Sequence, residues 1–556
     1  MVFERKQKRR NLDGVDALDR ISQLPEHIIH HILFLMPHKD AARTTVLSKS
    51  WKQVWNSLPR YDFKFCDGTY YDNSPAHFEK KIEKFVRSVD EDLLPFHEHR
   101  TTIQIVQQFR LRMTLCHHKY ASCIDNWIEL ASRNLMESLY LELTSMNKVG
   151  RYVLPKTTFF VESLAELTLK GCKVLGNDFG DDMIKSIYLR KLTLERVDVH
   201  YLTITKILHC CPLLEEFTQS NCCVKAKRVH INYAPKLKKA KLYGVKKIKI
   251  EAPNLEELYC RGDPGRLDSD SFACNNVKKL KISMFETSKL FEGLNSKFPL
   301  LETLDLQFYD SKLKISSDRL ESLSLLSPNK QLPMLQVDCA NLHSFEYDCS
   351  AIPSSFSATS CFLFKIENTL RLDGHLDTFR FIALRQYLQN FMEHQTLTLW
   401  FIPNCTISFT PEELSKDLSI LPIATVEHLE LGNVPIMQDY TALLDGLLWS
   451  CHPKVLLIRA DSESKEFINL LSETLVIREE EPKCCGDSHM KCWKHYLKAV
   501  KSEPYLDGME YVKVCHCDAL SDSISALEIC HGILFNFRMD IVDTGVHMGH
   551  VKKTIL

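Results

Sequence analysis

One pattern of apolar positions recurs through the middle of the chain. It consists of an apolar residue, two intervening positions, a second apolar residue, one position and a third apolar residue. The last two apolar side chains are two residues apart, which places them on one face of a β-strand. The pattern therefore predicts ten short strands, whose motifs have their first apolar positions at Met136, Leu164, Leu189, Leu214, Leu237, Leu255, Val277, Leu301, Leu320 and Leu342.

The copies follow one another at 18 to 28 residues, with a mean of about 23, which is within the range of leucine-rich repeats. Pro212, Pro235, Pro253 and Pro299 each stand two residues before the first apolar position, so the phase is kept. We expect an α/β fold over residues 136–478, an irregular solenoid with parallel strands on its concave face and leucines pointing inward. The alternative is a set of unrelated amphipathic strands.

The repeat is harder to follow after residue 350. Partial copies begin at His394, Val426 and Pro453, and the segment 379–392 has helical spacing. We expect later, longer repeats or a cap, with one inserted helix.

Helical spacing dominates the start of the chain. Pro25 and Pro37 bound a segment in which the apolar residues Ile28, Ile29, Ile32, Leu33 and Met36 recur every three or four positions. Asp40 is the predicted N-cap of the next helix, and Ser48 caps the third helix or lies within it. The third segment has one apolar face, formed by Leu47, Trp51, Val54, Trp55 and Leu58. Three short helices cannot hide this much apolar surface among themselves, so a partner is implied.

These residues resemble an F-box over residues 15–60: Leu-Pro, Ile-Ile-x-x-Ile-Leu, a Pro-x-x-Asp turn, Val-Leu-Ser-x-x-Trp and a closing Trp. The resemblance implies a three-helix domain that docks on the adaptor subunit of SCF-type ubiquitin ligases and, through it, on a cullin. The residues that match the motif, and that we expect to divide between adaptor contact and the domain's own core, are Leu24, Pro25, Ile28, Ile32, Leu33, Val46, Leu47, Ser48 and Trp51. The alternative is a helical bundle end packed on the rest of the chain.

Residues 61–135 are predicted to couple the helices to the repeats. Phe78, Ile82, Phe85 and Val86 indicate a helix, residues 103–106 a strand, and residues 123–131 a second helix.

The polar positions of the repeat strands face the surface on which such scaffolds bind partners. Two repeats are locally basic there, and their candidate target-binding residues are Lys238, Lys239, Lys241, Lys278, Lys279 and Lys281. Acidic residues interrupt them, among them Glu256 and Glu257. An acidic partner segment or a small anion is one hypothesis, and a solvated charged strand surface is the alternative.

Residues 479–556 are rich in cysteine and histidine, at Cys484, Cys485, His489, Cys492, Cys515, His516 and Cys517. The spacing lacks a C-x-x-C pair and does not favour a tetrahedral zinc site, so no metal or other cofactor is predicted. The segment is instead similar to the FBD-type domain that follows F-box and leucine-rich repeats in a large plant family. We expect a small α/β cap.

Charge and cysteine content narrow the function classes. The 556 residues carry 70 basic and 71 acidic side chains, which give no overall attraction to nucleic acid or anionic membrane. No apolar run reaches the length of a membrane span, and the N-terminus lacks a signal-peptide core. The 21 cysteines are then best explained as reduced thiols in the nucleus or cytoplasm. The basic run 6–10, within a predicted disordered segment 1–14, is either an import signal or an ordinary basic terminus.

Catalytic motifs are missing: the chain has no phosphate-binding loop, no G-x-S-x-G and no H-E-x-x-H. The resemblance implies a non-catalytic substrate receptor that holds an unknown protein target for ubiquitination. Two alternatives stay open, an interaction scaffold that acts outside ubiquitination and a sensor of small anions.

Overall fold

The chain divides into two compact units, Met1–Ala226 and Lys227–Leu556. The computed structural model describes residues 24–36, 38–56, 58–65, 75–94, 106–115, 118–145, 150–175, 184–225, 228–231, 234–245, 247–262, 272–283, 294–328, 333–350, 352–353, 355–358, 365–391, 395–402, 405–410, 423–436, 440–459, 465–476, 493–505 and 532–539.

Three short helices begin the described part of the first unit. They are α1 (Glu26–Leu35), α2 (His38–Arg43) and α3 (Lys49–Asn56), with a 3-10 turn at Thr44–Val46. Pro25 stands just before α1, where its carbonyl accepts hydrogen bonds from the backbone N–H groups of Ile28 at 2.9 Å and Ile29 at 3.2 Å. The predicted helix between the two prolines is confirmed, and Pro25 initiates it without donating a bond.

Two details of this domain differ from the prediction. Asp40 does not cap α2, because the helix already begins at His38. Leu47 is not on the buried face of α3, because it precedes the helix and is 59% exposed. Ser48 takes the capping position, since its Oγ accepts a hydrogen bond from the Trp51 backbone N–H at 3.2 Å.

A parallel sheet follows the helices in the first unit. Its strands, in spatial order, are β1 (Arg60–Lys64), β2 (Gln108–Leu115), β3 (Ser138–Ser145), β4 (Glu166–Lys170), β6 (Lys191–Glu195) and β8 (Glu216–Ser220). A second parallel ladder is formed by β5 (Lys173–Val174), β7 (Asp198–His200) and β9 (Cys223–Lys225). Each repeat therefore runs along the main sheet and returns through a shorter strand.

The segment before the first predicted repeat contributes strands β1 and β2 to this sheet. It also contains two described helices, α4 (Pro75–Leu93) and α5 (Ala121–Arg133), as predicted. A further helix of the first unit, α6 (Tyr201–Cys210), lies among the repeats. The Trp127 indole N–H ties α5 to α4 by donating to Asp90 Oδ1 at 2.7 Å. The strand expected at 103–106 falls largely outside the described residues, and the strand that is described here is β2. The boundary at residue 136 stays a prediction.

The second unit repeats the same plan over more strands. Its main sheet is parallel in the order β11 (Lys239–Tyr243), β13 (Glu257–Arg261), β15 (Lys279–Ser283), β16 (Thr303–Gln307), β18 (Ser322–Ser327), β20 (Ser344–Cys349), β22 (Lys365–Leu372), β24 (Gln395–Phe401), β26 (Ala424–Gly432) and β27 (Cys451–Arg459). The return strands are β10 (Arg228–Ile231), β12 (Lys247–Glu251), β14 (Phe272–Ala273), β17 (Lys312–Ser316), β19 (Met334–Asp338), β21 (Ser355–Ala358), β23 (His375–Leu376) and β25 (Thr406–Ile407). The helices are α7 (Leu294–Lys297), α8 (Thr378–Leu388), α9 (Thr441–Ser450) and α10 (Lys465–Val476).

All ten predicted strand motifs fall on strands of the two main sheets. Alternate residues are buried, as in β11, where Ala240 and Leu242 are fully enclosed and the residues between them are half-buried. The prolines also have a structural reason. The backbone N–H of Leu237 bonds to the carbonyl of Ala234 at 3.2 Å, so Pro235 occupies the second position of a β-turn, which its fixed φ suits. The same bond closes the turns at Pro212, Pro253 and Pro299.

The later repeats are strands β24, β26 and β27, and α8 is the predicted inserted helix. One strand, β22, was missed, because the buried polar residue Asn368 stands where the pattern expects an apolar one; the Tyr387 hydroxyl donates to its Oδ1 at 2.7 Å. The last described residues form two antiparallel strands, β28 (Leu497–Tyr505) and β29 (Gly532–Met539), the latter also paired with β27.

Buried thiols are common in the described residues, where eleven cysteines are free and nine of these are buried. Burial raises the pKa of Cys274 and Cys451 to about 12, so these thiols stay protonated and unreactive. No described helix combines the length and the apolar composition that crossing a membrane requires.

Candidate functional site

The helical domain has a closed core of its own. Its fully enclosed residues come from all three helices and the residues that follow them: Ile29, Leu33, Ala41, Trp51, Val54 and Leu58. Half-buried apolar side chains pack on its margin: Leu24, Ile32, Met36 and Trp55. Arg60 joins this domain to the first strand of the sheet by donating from Nη1 to the carbonyl of Met36 at 3.2 Å.

Other apolar side chains of the same domain remain exposed. Val46 is 85% exposed, Leu35 71%, Leu47 59% and Ile28 38%. On α1, Ile28, Ile32 and Leu35 are four and seven residues apart and share one face, whereas the buried residues lie about 100° around the helix. The domain thus presents apolar surface that its own core does not use.

The nine residues predicted from the motif fall into four groups. Leu33 and Trp51 belong to the core, and Leu24 and Ile32 lie at its edge. Pro25, Ile28, Val46 and Leu47 are exposed, and Ser48 caps α3. Their part in adaptor contact stays a prediction. Sequence reasoning missed Leu35, although its spacing of seven from Ile28 was the available signal.

Lysines on the basic strands of the second unit form ion pairs with carboxylates of neighbouring strands. In register across β11, β13 and β15, Lys239 and Lys279 flank Glu257, at 2.6 and 3.7 Å from its carboxylate oxygens. The hydrogen bond from Lys239 lowers the pKa of Glu257. Lys281 pairs with Asp305 of β16. Three of the predicted target-binding lysines therefore have acidic partners.

The remaining predicted lysines have different surroundings. Lys241 lies 5.4 Å from the ring centre of Tyr259, whose hydroxyl donates to Glu257 Oε2 at 3.2 Å. Lys238 and Lys278 each stand one residue before a strand, where they are exposed. Their role in binding a target stays a prediction.

A second tyrosine with two cations beside it lies on the main sheet of the first unit. Tyr140 of β3 donates from its hydroxyl to Glu142 Oε2 at 2.7 Å. Arg110 of β2 lies 5.9 Å and Lys170 of β4 5.6 Å from its ring centre. We call Arg110, Tyr140, Glu142 and Lys170 the Tyr140 cluster. Sequence reasoning missed it, although the alternating apolar residues 109, 111, 113 and 115 mark β2 as a strand.

Trp400 forms another feature of the second unit's main sheet. A Cβ on Gly432 of the neighbouring strand would lie 2.7 Å from the Trp400 ring, so the indole occupies the space that a side chain would fill. Arg459 lies 5.9 Å from the ring centre and pairs with Glu430. This aromatic residue is half-buried and held in place by its neighbours.

Within the described residues, no three side chains of the His, Cys, Asp or Glu type are grouped so that they could hold a metal ion. Cys484, Cys485, His489, Cys492, Cys515, His516 and Cys517 lie outside the residues that the structure describes.

The helical domain with open apolar surface and the repeats on a parallel sheet both match known protein families. The F-box domain family matches residues 21–63. A second family, described as FBD-associated F-box protein At5g56370, LRR repeats, matches residues 124–270.

Similar proteins from Arabidopsis thaliana are named for all or some of these domains. F-box/FBD/LRR-repeat protein At1g51370 is 25% identical over 66% of this chain and 86% of its own length. F-box/LRR-repeat protein At3g26922 and F-box protein At5g03100 are each 31% identical over 37% of this chain, and the matches cover 60% and 57% of those proteins. The chain is a plant F-box/leucine-rich-repeat protein with FBD-associated features.

Proposed function

We propose that this protein is the substrate-recognition subunit of an SCF-type ubiquitin ligase. In this role the helical domain binds the adaptor and, through it, the cullin, while the repeats hold a protein target. The observation that supports the proposal is the exposed apolar surface at Val46, Leu47, Leu35 and Ile28, beside a core that is already closed. An apolar helical surface of this kind suits packing against the helices of a partner.

The protein's own contribution to ubiquitin transfer is then proximity. Holding the target on the same assembly as the ubiquitin carrier raises the effective concentration of target lysines without any catalytic residue in this chain. The proposed receptor is therefore not itself an enzyme, acts without a cofactor, and works in the nucleus, the cytoplasm or both.

Co-purification with the adaptor subunit tests the proposal. The full chain is compared with a variant that carries Leu24→Ala, Pro25→Ala and Ile28→Ala. We expect a one-to-one complex with the wild type and its loss with the variant. Because Leu24 packs on the margin of the core, the thermal unfolding midpoint of the variant should fall slightly, and amide hydrogen exchange over α1 must show that its helical domain is still folded. A matched control changes three exposed apolar residues of the repeats, Ile187, Tyr188 and Leu202, to alanine and should keep the complex.

Failure of the wild type to bind would remove the ligase assignment. A repeat scaffold that acts outside ubiquitination would then remain, supported by the two main sheets alone. The small-anion sensor, the other alternative, has less support, because Lys239, Lys279 and Lys281 have acidic partners.

A further inference from the structure

One cation of the Tyr140 cluster lacks the acidic partner that cations on the main sheets generally have. Lys170 of this cluster pairs with Glu195 at 2.8 Å. In the described part of the chain, by contrast, no ion pair or hydrogen bond reaches the guanidinium of Arg110. Its Nε is buried and has no acceptor, as is also true of the Nε of Arg112, so an incoming ligand can bond only to the terminal Nη groups of Arg110. A guanidinium whose N–H groups lack protein acceptors is unusual in a folded protein and marks a place where a ligand can supply them.

The surroundings of Arg110 add further positive charge. Burial, and next the charge of Arg110, lower the pKa of Arg60, against the opposing effect of Asp62. The Asp62 carboxylate is engaged elsewhere, because Arg112 Nη2 donates to its two oxygens at 2.8 and 3.0 Å. Arg60, Arg110 and Arg112 therefore lie together on two neighbouring strands, where Asp62 bonds to Arg112 and the charge of Glu142 also acts on Arg112. A local excess of positive charge on a half-buried surface attracts anions.

The positions next to Arg110 suit an extended peptide. In register from β2 across the sheet, Arg110 is followed by Tyr140, Thr168, Thr193 and Thr218. The tyrosine ring provides an apolar contact, and the threonine hydroxyls can donate or accept hydrogen bonds. This row is partly exposed along its length.

We propose that Arg110, with Tyr140 beside it, binds a carboxylate or phosphate group of an acidic peptide segment laid along this row. The planar guanidinium can grip either group through two parallel hydrogen bonds, which a lysine cannot do. The inference rests on the proposed function in one respect, since the segment would belong to the target that the ligase recognises. It also places target contact in the first unit and not at the lysines predicted from the sequence.

Fluorescence anisotropy with the full chain tests this site. The probe is a fluorescein-labelled decapeptide of alternating serine and glutamate. A second decapeptide replaces each glutamate by phosphoserine, and a third replaces it by glutamine. The variants are Arg110→Gln, Arg110→Lys and, as the matched control beside the other tyrosine, Lys241→Gln.

We expect saturable binding of the charged probes, and a loss of about tenfold or more in affinity with Arg110→Gln, because a charge-assisted bidentate contact disappears. Arg110→Lys should keep part of the affinity, and Lys241→Gln should change it less than about twofold. The glutamate and phosphoserine probes show which group is preferred. Equal binding of the glutamine peptide, no binding of any probe, unchanged binding by Arg110→Gln, or a larger loss with Lys241→Gln would each overturn the proposal.

Adaptor capture by the same Arg110→Gln protein separates this inference from the proposed function. The variant should still form the adaptor complex with an unchanged thermal midpoint, because Arg110 lies outside the exposed apolar surface. A variant that loses both adaptor and peptide would indicate a folding defect and would contradict a local role for Arg110.

Discussion

The helical domain and the main sheets expose opposite kinds of surface. The domain leaves Val46 and Leu47 open to solvent, beside a core that has no room for them. The sheets instead present charged rows in which cations and carboxylates pair within the fold, as Glu257 does with Lys239 and Lys279. The exposed apolar surface of the helical domain implies a partner that covers it. On a sheet whose charged side chains pair with one another, a binding site is marked instead by a charged side chain without such a pair, such as Arg110.

The largest expected effect separates buried from exposed leucines on α1. Leu33→Ala should destabilise the helical domain by about 2–5 kcal/mol, because it leaves a cavity in a core of few residues. Leu35→Ala, on the same helix but 71% exposed, should stay within about 0.5 kcal/mol. Amide hydrogen exchange over residues 26–56 measures both. Equal loss of protection in the two variants would contradict the division between core and open surface.

The next effect concerns a histidine near the end of the second unit's main sheet. Burial, and then the charge of Arg385, lower the pKa of His452 to about 4. As the pH falls below about 6.5, the His452 imidazole therefore becomes protonated in the unfolded chain but stays neutral in the folded chain. We expect a loss of about 3 kcal/mol of stability as the pH falls from about 6.5 to about 4. His452→Gln should remove this part of the acid sensitivity, as measured by urea unfolding at several pH values. A variant with the same pH dependence as the wild type would contradict this assignment.

Alanine substitutions at two glycines test how tightly neighbouring repeats are stacked. Gly171 has φ +74°, and a Cβ there would lie 2.0 Å from the carbonyl oxygen of Leu143. Gly374 has φ +69° with open space around it. We expect Gly374→Ala to cost about 1–2 kcal/mol from backbone strain alone, and Gly171→Ala to cost more. Thermal unfolding of both variants measures the difference, and equal shifts would contradict close stacking at Gly171.

The smallest effect is expected where charges on the main sheet pair with each other. Glu257→Gln removes the carboxylate shared by Lys239 and Lys279, yet it should change stability by only about 0–1 kcal/mol, since these groups are partly exposed. Because the folded pKa of Glu257 is lowered, that small contribution is present at neutral pH and fades as the carboxylate is protonated. Denaturant unfolding in low and high salt checks it. A loss well above this range would indicate that the pairs hold the strands together.

The sequence was sufficient for the main strands and for most of the helices. Strand positions are predictable because leucines at fixed spacing must be buried on one side, and this holds even for the imperfect copy at Phe217. The shortest return strands, such as β5 with two residues, carry too little pattern to be seen. Longer ones such as β17 alternate as the main strands do, but they lie outside the repeat motif and were missed for that reason. Strand β22 was missed because Asn368 is buried through a hydrogen bond to Tyr387 and not through hydrophobicity.

The candidate sites were less predictable, because charge pairing depends on register between strands. The lysines at 239, 279 and 281 are basic in sequence, but strands from other repeats bring carboxylates beside them. Arg110 shares its strand with Arg112, in a segment that the repeat motif does not cover. Its significance appears only when β1 and β3 are placed next to β2.

Calorimetric titration of the full chain with the adaptor subunit tests the central claim most directly. The protein carrying Val46→Ser and Leu47→Ser is compared with the wild type, and Leu202→Ser serves as a control at an exposed leucine of the repeats. The account predicts binding that is weakened by about tenfold or more in the double variant and unchanged in the control, with the same unfolding midpoint in all three. Equal affinity of the wild type and the double variant would contradict it.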